Sequence, residues 1–174
     1  LEQQWLLPGL VPAEDLTLLG GDPGAAKTWL ALDLALSLVT QKPSWGGITP
    51  PKIVPVLYCG EDAAQSSTLD RVYKLRSTKG FHNGEPFYVF PSTYTFQIDN
   101  PEGLALIETT IADTGAKLVI FDMLLSYLGK TDFNSGSEMA AVLTGLKAAL
   151  RRQGCAALIL HHGTKAKQGG WLSR

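Results

Sequence analysis

The chain has 174 residues, of which 45% are hydrophobic and 18% are charged. This length suits one domain with a sizeable core, and the composition excludes disordered and collagen-like proteins. The formal net charge of -1 excludes a global positive field, so only local basic loops remain as an electrostatic route to DNA or RNA.

Short apolar runs alternate with helical patterns along the chain. The runs that we predict as strands are Leu16–Gly20, Ile53–Cys59, Phe87–Phe90, Leu118–Phe121 and Ala156–Leu160. The segments that we predict as helices are Lys27–Thr40, Ala63–Lys79, Pro101–Thr114 and Ser135–Gln153. Strands that are apolar on both faces are typical of a sheet with helices on each side. We therefore predict an α/β fold with a mainly parallel sheet flanked by helices on both faces.

Several element ends carry residues that favour a start or a stop. Pro101 opens the third helix, where proline is favoured, and Gly115 stops it. Ser137 is the predicted N-cap of the last helix, and Gly154 follows its end. Pro55 predicts an irregular or edge-proximal start for the second strand.

The strongest motif lies between the first strand and the first helix. Residues 21–28 follow the P-loop spacing G-x-x-x-x-G-K-[ST], and they are Gly21, Asp22, Pro23, Gly24, Ala25, Ala26, Lys27 and Thr28. Backbone N–H groups and a helix N-terminus attract phosphate at such a loop. Lys27 would place its charge on the outer phosphates, and Thr28 would ligate Mg²⁺. We predict that these residues and Trp29 bind ATP with Mg²⁺; the alternative is a glycine-rich turn that binds nothing.

One position of the motif departs from the pattern. Ala26 stands where the pattern has its second glycine. If the backbone there is left-handed, alanine costs about 1–2 kcal/mol. If it is not, the replacement is harmless.

Carboxylates follow two of the predicted strands. Asp122 closes the apolar run LVIFD, beside the crevice where nucleotides bind in parallel sheets, and we predict that it holds Mg²⁺. Glu61 follows the run VLYCG, and we predict that it orients and deprotonates the attacking water. Asp62 could serve in the same way or cap the next helix. An ordinary strand-end aspartate is the alternative for Asp122.

Two histidines, His161 and His162, end the last predicted strand. Neighbouring residues on a strand point to opposite faces, so one imidazole could face the nucleotide and sense its γ-phosphate. A structural role and a metal pair are the alternatives, although adjacent side chains rarely converge on one ion.

Basic residues in two loops are candidates for contact with nucleic acid. One loop, 123–135, contains Lys130. The other, 163–174, adds an aromatic residue to its basic ones, namely Lys165, Lys167, Trp171 and Arg174. Basic groups interleaved with an aromatic ring suit single strands. Solvated loops that bind nothing are the alternative.

Four segments together resemble one family. They are WLLPGLVPAEDLTLLGGDPGAAKT, VLYCGED, LVIFDMLLSYL and ALILHHGTKAK. The arrangement resembles the RepA-type hexameric replicative helicases, an AAA_25-like group of RecA-like P-loop ATPases, over nearly the whole chain. The resemblance implies a RecA-like core, Glu61 as the catalytic glutamate, and Arg71 where the family often has an arginine. It also implies a homo-hexamer with ATP between subunits that moves along single-stranded DNA.

The resemblance is incomplete in two respects. Ala26 replaces a glycine, and the family continues past its His-His segment with strands that carry an arginine finger. Since the chain begins at Leu1 and stops at Arg174, we expect a single domain, residues 1–174, truncated at its C-terminus. We expect weak assembly and weak hydrolysis from this chain alone.

Other functions use the same fold or the same loop. A recombinase or KaiC-like ATPase is the first alternative, and a nucleotide-gated DNA-binding or assembly module with negligible turnover is the second. A small-molecule kinase is the third, but the sequence shows no basic lid.

The sequence also predicts a cytoplasmic location and no membrane partner. Cys59 and Cys155 lie in apolar runs without a CxxC spacing, which predicts buried, reduced thiols. The chain start has no signal-peptide pattern. The longest apolar helical pattern, 29–39, is too short to span a membrane.

Overall fold

A computed structural model describes residues 3–60, 65–91 and 96–162. The strands in these ranges are β1 (Trp5–Leu7), β2 (Val11–Pro12), β3 (Leu16–Gly21), β4 (Val56–Gly60), β5 (Phe87–Val89), β6 (Leu118–Asp122) and β7 (Ala156–His162). The α-helices are α1 (Lys27–Thr40), α2 (Gln65–Lys79), α3 (Pro101–Thr114) and α4 (Gly136–Arg152). A short 3-10 helix, Leu124–Tyr127, follows β6.

The main sheet has five strands in the order β3-β7-β6-β4-β5, and each neighbouring pair is parallel. This confirms the predicted fold class, the α/β core of a RecA-like P-loop protein. β1 and β2 form a separate antiparallel pair ahead of the main sheet. That small hairpin was not predicted from the sequence.

Helices cover both faces of the sheet because successive strand residues point to opposite sides. In β6, Ile120 packs into a cluster with Leu32 of α1, on the face that α2 also covers. The next residue, Phe121, packs into a second cluster with Ile107 of α3 and Leu146 of α4. Every residue of β6 is buried, which explains why the strand reads as a continuous apolar run.

Element ends agree with the sequence at α3 and differ at α4 and β4. Asn100 caps α3 by accepting a hydrogen bond from Gly103 N at 2.8 Å, and α3 ends at Thr114 as predicted. The predicted N-cap Ser137 was wrong, since α4 begins at Gly136 and Ser135 Oγ accepts a hydrogen bond from Glu138 N, in the third residue of the helix, at 3.4 Å. β4 starts at Val56 instead of the predicted Ile53, so Pro55 precedes the strand, which lies between β6 and the edge strand β5.

Both cysteines are buried and free, as predicted. Burial raises the pKa of the Cys59 thiol above its usual range and that of Cys155 to about 12. Both thiols are therefore protonated at neutral pH. In the part of the chain that the structure describes, no helix has the length and apolar character needed to cross a membrane.

A buried lysine ties α2 to α1. Lys79 Nζ lies 2.7 Å from a carboxylate oxygen of Asp33. It also donates hydrogen bonds to Ser37 Oγ at 2.9 Å and to the Pro43 carbonyl at 2.6 Å. The second oxygen of Asp33 accepts a hydrogen bond from Trp45 N at 2.7 Å. One ammonium group therefore joins two helices and the loop that follows α1.

We expect Lys79→Ala to lower the free energy of unfolding by about 3 kcal/mol, because it leaves the largely buried carboxylate of Asp33 without its cation. Lys74→Ala is the matched control, since Lys74 is exposed on the same helix; it should change stability by less than about 0.5 kcal/mol. Urea denaturation of both variants measures the difference. Equal stability of the two variants would contradict a structural role for the Lys79 contacts.

Candidate nucleotide-binding site

The predicted P-loop connects the end of β3 to the start of α1. Ala25 N donates to the Asp22 carbonyl at 3.1 Å and closes a turn. Gly24 has φ of 83°, a conformation that suits glycine. Ala26 has φ of 59° and ψ of 22° and stands at the N-cap of α1. The missing second glycine is therefore at a left-handed position, where alanine is strained.

Lys27 is the first residue of α1, and its side chain turns back over the loop. Only 7% of the residue is exposed. Its Nζ donates hydrogen bonds to the carbonyls of Gly21 at 2.8 Å and Asp22 at 2.9 Å. These contacts hold a positive charge at the carboxyl end of β3, beside the N-terminus of a helix. Both features favour an anion at this point.

The loop forms one wall of a cleft of about 520 Å³. The P-loop residues that line it are Gly24, Ala25, Ala26, Lys27, Thr28 and Trp29. The sheet contributes Tyr58, Gly60 and Asp122, and α2 contributes Thr68 and Arg71. The predicted Lys27, Thr28 and Asp122 are therefore brought together, although Asp122 is distant from the loop in the sequence. The volume lies within the range of small-molecule and cofactor sites.

Asp122 ends β6 with 8% of the residue exposed. It lies opposite Gly60 in the register between β6 and β4. The Tyr58 hydroxyl donates a hydrogen bond to Asp122 Oδ2. Burial, followed by the negative charge of Asp122 and this hydrogen bond, raises the pKa of Tyr58 far above its ordinary value. The Tyr58 hydroxyl is therefore protonated at neutral pH and can donate to the carboxylate.

Other predicted site residues lie away from the cleft or outside the described residues. His161 pairs with Gly20 across the β3–β7 register, and its ring packs on Phe133 with centroids 4.9 Å apart. His161 is described by the structure but does not line the cleft. His162 pairs with Gly21. The predicted residues that lie outside the described ranges are Glu61, Asp62, Lys165, Lys167, Trp171 and Arg174. The roles of these residues and of both histidines stay predictions.

The loop that carries Lys130 is anchored by one carboxylate. Asp99 Oδ2 accepts hydrogen bonds from the backbone N–H groups of Gly129, Lys130 and Thr131 at 2.9, 2.9 and 3.1 Å. Burial acts to raise the pKa of Asp99, but the hydrogen bonds from Thr131 and from the backbone outweigh it, and the pKa is lowered. The backbone of Lys130 is therefore fixed at the surface.

Sequence reasoning did not identify four residues of the cleft, namely Tyr58, Gly60, Thr68 and Met123. Tyr58 lies within the apolar run VLYCG and was interpreted as part of a buried strand. Thr68 faces the cleft from the first half of α2. The available signal was that Thr68 precedes Arg71 by three residues. Residues at this spacing share a face of a helix, so a cleft that contains one of them can contain the other.

A family model described as AAA domain, AAA_25, matches residues 2–168 of the chain. The chain belongs to the AAA_25 family. This AAA domain is an ATPase-type nucleotide-binding domain with a P-loop. A comparison with curated proteins finds no match.

The donor set of this AAA domain fits a nucleotide with Mg²⁺. Mg²⁺ in nucleotide sites is held by few protein oxygens, with phosphates and water completing its shell. Thr28 offers a hydroxyl and Asp122 a carboxylate in the same cleft. Within residues 3–60, 65–91 and 96–162, no group of three or more His, Cys, Asp or Glu side chains could hold a metal ion. The hydroxyl of Thr28 and the carboxylate of Asp122 therefore fit a Mg²⁺ whose other ligands are phosphates and water.

We expect Ala26→Gly to raise the free energy of unfolding by about 1 kcal/mol, because glycine adopts the left-handed backbone without steric cost. The control is Ala25→Gly, since Ala25 is not among the residues with positive φ. That change should lower stability by a few tenths to about 1 kcal/mol. Thermal and urea denaturation check both variants, and a loss of stability in Ala26→Gly would disprove the strain.

Proposed function

We propose that this AAA domain binds ATP with Mg²⁺ and hydrolyses it, as the motor core of a RepA-like replicative helicase acting on single-stranded DNA. One observation supports the nucleotide part most strongly. Lys27, Thr28, Arg71 and Asp122, which come from three separate elements, line a single cleft at the carboxyl edge of the sheet. Two cations, a hydroxyl and a carboxylate match the charges of a metal–triphosphate complex.

Each residue has a role that follows from its place in the cleft. Lys27 would neutralise the outer phosphates, and Arg71 adds a second positive charge from α2. Thr28 and Asp122 would hold Mg²⁺, which neutralises charge that develops on the phosphate oxygens. Trp29 lines the same wall and is 37% exposed, so its indole is available to a nucleotide. Such a site accelerates phosphoryl transfer through positioning and electrostatics.

Glu61 is the proposed residue that orients the attacking water. Its support is the position of Gly60, which lines the cleft and immediately precedes Glu61. Gly60 is also the register partner of Asp122. β4 therefore ends at the cleft one residue before Glu61 in the sequence. One of the two histidines that end β7, His161 or His162, is proposed as a sensor of the γ-phosphate, on the support of their place at the carboxyl end of that strand.

Single-stranded DNA and a homo-hexamer are proposed on the resemblance of the four segments. The basic residues Lys130, Lys165, Lys167 and Arg174 are the proposed contacts with DNA. Because the net charge is only -1, contact with DNA would depend on these local charges and would weaken as salt is added.

We expect Lys27→Ala to weaken ATP binding at least tenfold and to abolish turnover, because the charge on the outer phosphates is lost. Calorimetric titration of ATP with Mg²⁺ and a phosphate-release assay measure the two effects. Lys52→Ala is the control, since Lys52 is exposed in a loop and does not line the cleft. Unchanged affinity and turnover in Lys27→Ala would disprove the P-loop assignment.

Glu61→Gln should retain ATP binding and lose turnover by roughly two orders of magnitude or more, because the amide cannot accept the proton of the attacking water. The same titration and phosphate-release assay apply, each with and without single-stranded DNA. Stimulation of wild-type turnover by DNA supports the helicase proposal. ATP binding without turnover in the wild type would favour a nucleotide-gated module, and equal loss of binding and turnover in Glu61→Gln would make Glu61 structural.

A further inference from the structure

Tyr58 connects the hydrophobic core to the acidic residue of the cleft. It lies in the middle of β4 with 1% of the residue exposed. Its ring packs in the cluster beneath α1 and lies 6.2 Å from the Phe87 ring, between centroids. Its hydroxyl nevertheless reaches Asp122 in the neighbouring strand. Core packing therefore holds the ring of Tyr58, while its hydroxyl is placed at the cleft.

Gly60 leaves the space through which the Tyr58 ring passes. A Cβ at Gly60 would lie 2.9 Å from Tyr58 Cε1, closer than real Cβ atoms approach. Gly60 is two residues beyond Tyr58 on the same face of β4 and lies opposite Asp122. The absence of a side chain at this one position therefore allows a phenol from β4 to reach a carboxylate on β6.

The hydrogen bond restricts how Asp122 presents its oxygens. Oδ2 accepts from Tyr58, which fixes the direction in which the carboxylate offers its remaining lone pairs to a metal or its water. A buried hydroxyl is costly without a partner, so the contact is maintained by the burial of the ring. A carboxylate held in one orientation loses less conformational freedom when a cation arrives.

We infer that Tyr58 is a positioning residue that orients Asp122 toward the Mg²⁺ of the bound nucleotide. This inference rests on the proposed function, in which Asp122 holds that metal. It assigns to the hydroxyl a role in metal binding that the packing of the ring does not require.

The test is the Mg²⁺ requirement of ADP binding, which needs no turnover. Tyr58→Phe removes one oxygen and keeps the ring. Affinity for fluorescently labelled ADP in EDTA should stay within about twofold of the wild type. The Mg²⁺ concentration for half-maximal enhancement of binding should rise about tenfold, the usual effect of losing a partner that orients a metal ligand. Tyr73→Phe is the matched control, since Tyr73 is 61% exposed on α2, and it should not change this concentration.

Two further variants make the outcomes distinguishable. If Asp122→Asn raises the Mg²⁺ requirement and folded Tyr58→Phe does not, the inference about Tyr58 is wrong and the proposed function stands. If Asp122→Asn also leaves the Mg²⁺ requirement unchanged, the proposed metal site itself is wrong.

Should Tyr58→Phe fail to fold, Gly60→Ala gives a second test, since its Cβ displaces the Tyr58 ring but keeps the hydroxyl. An unchanged Mg²⁺ requirement in folded Gly60→Ala would then overturn the inference.

Discussion

Five parallel strands end at the same edge of the sheet, and the cleft depends on this constraint. β3 delivers the P-loop, β4 delivers Gly60, and β6 delivers Asp122 to that edge. β7 lies between β3 and β6, so the loop must reach across one strand to meet the carboxylate. The helix that follows the loop starts on the face that also carries Tyr58. Antiparallel pairing of any of these strands would send its end to the opposite edge.

Among the described residues that line the cleft, Lys27 and Asp122 are nearly buried groups that can carry charge, and each has a protein partner. Lys27 donates to two loop carbonyls, and Asp122 accepts from Tyr58. Burying charge without such partners is costly. The arrangement therefore places a cation and a carboxylate in the same cleft, while the surrounding backbone and core hold both. Ala26 differs from these two residues, because its left-handed backbone is strained for alanine.

Spacing within short segments made much of the fold and part of the cleft predictable. The P-loop is a local motif, and Asp122 could be found because it closes an apolar run. The contact between Tyr58 and Asp122 could not be predicted in this way. The two residues are 64 positions apart, and the contact depends on the register between β4 and β6 and on the space at Gly60. A one-residue change in register would point Tyr58 away from Asp122.

The wrong N-cap of α4 results from two neighbouring serines that could each cap the helix. Ser135 and Ser137 are both able to cap a helix, and the choice between them depends on the preceding turn. In that turn, Ser135 N donates to the Asp132 carbonyl at 2.9 Å. The hairpin of β1 and β2 is too short to show a pattern in the sequence, since its second strand has two residues. Its residues Leu7 and Val11 are buried in the cluster beneath α1.

The Lys79 contacts have a mechanical consequence. They join the last turn of α2 to the middle of α1, while Arg71 lies about 12 Å further back along α2 at the usual helical rise. The Lys79 contacts therefore link α1, which follows the P-loop, to α2, which carries Arg71. A displacement of α1 along its axis would be transmitted through the Lys79 contacts to α2, and so to Arg71.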